Sequence, residues 1–148
     1  MPPPSRYYST PPYKARKTLT FTGAANLGQA ASNATIFTIT GEVLIRRIAI
    51  FCTASLTEGA PTAQLSMGTN AISTLLLAAL NSVLCDVGEW VVDGTPVVEG
   101  KAIPAGMIDI LIAVDIIIRN TTQDTDGGTL EITCWWEPVS DDGDLVAA

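Results

Sequence analysis

The chain contains no histidine. That absence removes the usual general base of serine and cysteine triads and the commonest zinc ligand. Charge is scarce too: Asp, Glu, Lys and Arg make up 16% of the 148 residues, against about 25% in an ordinary soluble domain. A surface so poor in charge is one that protein commonly covers. No uninterrupted apolar stretch reaches the roughly 18 residues that a bilayer requires. The basic N terminus leads into threonines rather than the apolar core of a secretory signal, so no membrane partner is expected. The net charge of -7 argues against nucleic acid, which wants a basic face. Three cysteines, Cys52, Cys85 and Cys134, are too few and too widely spaced for a disulfide framework or a zinc knuckle. They are expected to be reduced core residues.

What charge there is falls unevenly. Residues 1–17, MPPPSRYYSTPPYKARK, hold five of the nine prolines, all three tyrosines and half of the eight basic residues, and no acid precedes Glu42. Such a segment is excluded from a central sheet and reads as an extended, polyproline-type arm. Its tyrosines, Tyr7, Tyr8 and Tyr13, offer rigid contact area to a partner. Arg6, Lys14, Arg16 and Lys17 offer it charge. After Arg119 every charged residue is an acid.

From residue 18 to 148 the pattern is one domain of successive strands. KTLTFT alternates Leu19 and Phe21 against threonines, and TIFTIT repeats the device with Phe37 and Ile39 inward. EVLIRRIAIFC is apolar in both parity classes, which predicts a strand that is central or lies under another chain. TAQLSMG alternates with Ala63, Leu65 and Met67 on one side. NAISTLLLAALNSVL places leucines at helical spacings and predicts a short helix or an irregular loop. Turn chemistry surrounds Asp93-Gly94. DTDGG reads as a hairpin turn before TLEITCWWEP, whose inward residues are Leu130, Ile132, Cys134 and Trp136.

The stretch MIDILIAVDIIIRN, residues 107–120, resembles a membrane anchor interrupted by two acids. Its even positions, from Ile108 to Ile118, are all Ile or Val, and its odd positions include Asp109, Leu111, Asp115 and Arg119. That period of two is a strand with a core face and a mixed face. At about 3.3 Å per residue it is too long for one strand, so a bend or tight turn is expected near residues 113–115. Many short strands with no helix long enough for a crossover predict an all-β fold, a β-sandwich of jelly-roll type carrying the N-terminal arm.

Catalytic chemistry is hard to assemble from these residues. On a continuous strand Asp109 and Asp115 stand about 20 Å apart, beyond the roughly 5–9.5 Å of glycosidase carboxylate pairs, a distance that only the turn expected between them would shorten. DTDGG and SDDGD lack the full ligand set of a calcium loop. No cofactor motif is present, and the chain is not expected to be an enzyme. The tryptophans divide. Trp136 shares the inward parity, Trp135 projects from the Thr/Glu face as an interface anchor, and Trp90 follows Gly88-Glu89 with no parity to place it.

The stretch TLTFTGAANLGQAASNATIFTITGEVLIRRIAIFCTASL, the later EWVVDGTP and the ending GGTLEITCWWEPVSDDGDLVAA are similar to a group of small virion proteins of tailed bacteriophages. The resemblance covers residues 18–148. It implies a structural protein of the virion, a capsid decoration or cement protein. Such a protein would sit on the outside of the head as an oligomer, commonly a trimer, and hold the major capsid protein lattice together after assembly in the host cytoplasm. The basic arm is not part of the shared pattern, and Glu137 stands where an arginine is frequent. On this reading the arm residues bind the capsid, while Asp109, Leu111, Asp115, Arg119 and Trp135 belong to a subunit or capsid interface. The alternative is a carbohydrate-binding β-sandwich of a phage tail, with Trp135 and Trp90 as sugar platforms.

Overall fold

The computed structural model describes residues 12–59, 62–92 and 95–148. Among them lie nine strands: β1 Tyr13–Thr20, β2 Asn33–Thr40, β3 Val43–Glu58, β4 Gln64–Gly68, β5 Leu77–Asn81, β6 Ile108–Ile112, β7 Ile116–Thr121, β8 Thr125–Pro138 and β9 Asp144–Ala147. They form two antiparallel sheets, ordered β1-β8-β3-β6 and β5-β4-β7-β2-β9. Facing side chains from both sheets, among them Ile45, Ile48, Ile50 and Ile132 from one and Phe37, Met67, Ile116 and Ile118 from the other, make a single buried core. The fold is therefore a β-sandwich.

The parity reading succeeds until a bulge intervenes. In β3, Val43 and Ile45 point inward, the register shifts between Ile45 and Arg47, and the inward set becomes Ile48, Ile50 and Cys52. One extra residue in a strand swaps its faces. The apolar residues in both parity classes thus serve one core face in two registers, and Arg46 and Arg47 are both exposed at the crossover. A similar shift explains the leucines of residues 70–84. Leu65 pairs with Leu80 and Met67 with Leu77, so an extra residue in β5 sets two inward leucines three apart. The segment is strand β5 followed by a single 3-10 turn at Ser82–Leu84, where a short helix or irregular loop is the sequence expectation.

The isoleucine stretch does turn at residues 113–115, and the turn carries the chain from one sheet to the other: β6 is an edge strand of the first sheet, while β7 is central in the second. The even face is buried at Ile112, Ile116 and Ile118, but Val114 in the crossing is 54% exposed and Ile108 at the edge is 37% exposed. Ile117, on the odd face, is buried. The loop after β4 accounts for that. Gly68 pairs with Ile117, and the backbone of Ile72, Ser73 and Leu75 packs so tightly on Gly68 that a Cβ there has no room. Asn33 on β2 donates to Asn70 of the same loop at 2.9 Å, so the loop reaches over the outer face.

DTDGG is not a hairpin turn. β8 begins at Thr125, in the sheet opposite β7, so the connection is a crossing between layers. Buried Asn120 holds it, donating to the carbonyls of Gly28 and Gln123 at 2.7 and 2.6 Å and accepting from the Thr125 hydroxyl at 2.8 Å. The turn expected at Asp93-Gly94 lies outside the described residues.

Candidate binding face

β8 fixes two neighbouring tryptophans on opposite sides of one sheet. Trp136 is buried, its ring centroid 5.0 Å from that of Tyr13. Trp135 projects outward. The register places Lys14 of β1, Trp135 of β8 and Arg47 of β3 in one row across three strands. The Arg47 guanidinium lies 4.5 Å from the Trp135 ring centroid and the Lys14 ammonium 5.8 Å. Each such contact is worth about 0.5–1 kcal/mol at an exposed site. With cations over the ring from both adjacent strands, Trp135 acts as a rigid spacer between two positive charges, and little of its ring face is left for a sugar.

Trp90 comes to the same face by a different route. β6 pairs only with the first part of β3, Val43 to Arg47, and the backbone of residues 89–91 runs beside the part that β6 does not reach. Cys52 N–H donates to the Glu89 carbonyl at 2.8 Å and Val91 N–H to Ile50 at 2.9 Å. On its other side Trp90 pairs with Val97. Its ring stacks tilted on Phe51, centroids 4.8 Å apart, and remains 37% exposed. Between the two tryptophans lies a groove of about 360 Å³ lined by Arg47, Ala49, Trp90, Val92, Lys101, Ile103 and Trp135. A second hollow of about 190 Å³ adjoins it across Ala49, with Arg16, Glu131 and Thr133 at its far side.

Other residues of interest are distributed as follows. Arg6, Tyr7 and Tyr8 lie outside the described residues. Tyr13, Lys14, Arg16 and Lys17, read from sequence as arm, belong to edge strand β1, where the alternation of YKARKTLT gives the segment an inward side (Tyr13, Ala15). Arg16 pairs with Glu131 at 3.6 Å, and Lys17 donates to the Ala148 carbonyl. Asp109 pairs with Arg46 at 3.1 Å and Leu111 is 71% exposed, both on β6. Asp115, in the turn between β6 and β7, accepts from Ile39 N–H of β2 at 2.9 Å, and Arg119 on β7 donates to the Asn33 side chain at 3.3 Å. The mixed face of the isoleucine stretch is therefore divided between the first sheet, the turn and the second sheet, and of the five residues expected at an interface, these four and Trp135, only Trp135 lines the groove.

Sequence reasoning missed Arg47, Phe51, Lys101 and Ile103. The Arg46-Arg47 doublet inside an apolar strand was the available signal, because two adjacent charges in an alternating run mark a bulge. Lys101 and Ile103 come from an irregular excursion whose path no periodicity reveals.

The cysteines carry no chemistry into this face. All three are unpaired and buried. Burial pushes the Cys85 and Cys134 thiols up to about 12, and raises that of Cys52 as well, so none offers a reactive thiolate near neutral pH. Comparison with protein-family models, with curated proteins and with solved structures gives no match to this chain.

Proposed function

We propose that this chain is a structural protein of a tailed-phage virion, a decoration or cement protein that binds the outside of the head as an oligomer, with the trimer as its natural form. The observation that carries the reading is the coincidence of two features at one end of the sandwich. Tyr13 pairs with Trp136, so β1 begins next to Glu137 and Pro138. Val43 pairs with both Pro138 and Ile112, which brings Val139 (52% exposed), Val114 (54%) and Leu111 (71%) to that same end. An apolar strip next to the start of β1, which Arg6, Tyr7 and Tyr8 precede in sequence, suits docking on a protein shell.

The resemblance to small tailed-phage virion proteins read from the motifs of residues 18–148 points to the same reading. So does the strand order: β1-β8-β3-β6 facing β5-β4-β7-β2 is the winding we read as an eight-stranded jelly roll, with β9 added at an edge. An oligomer would set several weak footholds on neighbouring capsid subunits and gain affinity by multivalency. Bound only to the assembled lattice, it would stabilise the shell by mass action.

The test is co-sedimentation with heads of the phage whose genome encodes the chain, with light scattering for the oligomer. Deleting residues 1–12 leaves β1 whole, so the truncated domain should fold yet bind heads about tenfold more weakly or worse. Full-length protein that stays in the supernatant would end the proposal.

A further inference from the structure

We infer that the groove between Trp90 and Trp135 is a binding site for an acidic saccharide. The site is distinct from the apolar end assigned to shell docking, and its test uses the free protein, so either reading can fail alone. Its volume of about 360 Å³ falls within the roughly 300–1,000 Å³ of small-ligand sites. Trp90 supplies the platform. Its backbone is held by Val97 on one side and its ring by Phe51 beneath, so a half-exposed aromatic face stands ready without reorganisation. Ala49 keeps the floor low, and Val92 and Ile103 complete an apolar wall that suits the C–H faces of a pyranose ring.

The charge of the site runs against that of the molecule. On a chain of net charge -7, Arg47 and Lys101 line the groove and Lys14 stands on the other side of Trp135. Among the described residues no carboxylate lies within ion-pairing distance of Arg47 or Lys14; the three ion pairs there involve Arg16 and Arg46. Arg47 holds its guanidinium 4.5 Å from the Trp135 ring centroid, and its N–H groups can donate to a carboxylate or phosphate in bidentate fashion. Glu131 and Thr133 in the adjoining hollow are partners for hydroxyls of a second ring.

A saccharide fits better than an acidic peptide for a geometric reason. The groove lies on the face of the sheet, where β8 and β3 already spend their backbone hydrogen bonds on each other. A peptide main chain laid there finds no ladder to join. Ring faces, hydroxyls and a carboxylate need only the side chains present.

The experiment is a binding screen of the full chain against uronate, sialate and sugar-phosphate oligosaccharides, each beside its neutral parent, with an oligoglutamate peptide as competitor. At least one acidic glycan should bind, and its neutral parent about tenfold more weakly, the worth of one charge-assisted contact. Arg47→Met, which keeps the stem against Trp135, should reproduce that loss, and Trp90→Ala should weaken acidic and neutral forms alike. Circular dichroism checks that both variants fold. The inference is overturned if no acidic glycan binds, if neutral parents bind equally well, if Arg47→Met binds as the native chain does, or if oligoglutamate displaces every glycan.

Discussion

The two sheets treat their outer faces in opposite ways. The five-stranded sheet covers the middle of its own: residues 69–76 fold back over Gly68, and Ile117 and Ser66 on that face are 1% and 3% exposed. The four-stranded sheet leaves open a row of Lys14, Trp135 and Arg47, with Trp90 and Phe51 beside it. Where an apolar strand is covered by its own loop, its side chains have a sufficient structural reason to be there. Aromatics on an open face, beside cations that make no ion pair among the described residues, have none, and that contrast directs attention to the first sheet.

The sharpest way to break the comparison is within one dipeptide. Trp136→Ala removes a buried aromatic from the core and should cost about 3–5 kcal/mol. Trp135→Ala removes an outward ring that contributes through its cation contacts and partial packing, and should cost about 1–2 kcal/mol. Urea unfolding of the two variants measures both. Equal costs would mean that the outer face is as much a structural layer as the core.

A second pair tests the covered face against the open one along the isoleucine stretch. Ile117→Ala should cost about 2–5 kcal/mol, because the loop over it cannot fully collapse into the space. Leu111→Ala, at 71% exposure, should change stability by less than about 0.5 kcal/mol, while weakening any shell contact made by that end of the sandwich. If Ile117→Ala is equally mild, residues 69–76 do not seal the second sheet.

Much of this was legible in the residues. Strict alternation located Leu19, Phe21, Ala63, Leu65, Met67 and Ile132 on the core side, and the same parity put Trp136 in and Trp135 out. Bulges set the limit. An extra residue in β3 made one core face look like two, and another in β5 made a strand look helical, because both insert a shift that composition does not announce. Sheet membership was equally hidden. MIDILIAVDIIIRN gives the turn at residues 113–115 by its length alone, but nothing in it says that the strand beyond joins the other layer. The groove was half visible: its tryptophans stand out in any reading, whereas Lys101 and Ile103 arrive through an irregular excursion after β5.

The smallest expected effect belongs to the Arg16–Glu131 pair at the far side of that groove. The atoms are 3.6 Å apart, with side chains 52% and 32% exposed, so solvent screens the attraction and ordering two side chains offsets part of it. A double-mutant cycle with Arg16→Ala and Glu131→Ala should return a coupling of about 0–1 kcal/mol, shrinking as salt is added. A larger and salt-resistant coupling would mean that the pair is shielded from water, as a second subunit seated on this face would shield it. The groove would then be an interface between copies rather than an open site, and the contrast between the two sheets would reduce to a difference in what covers them.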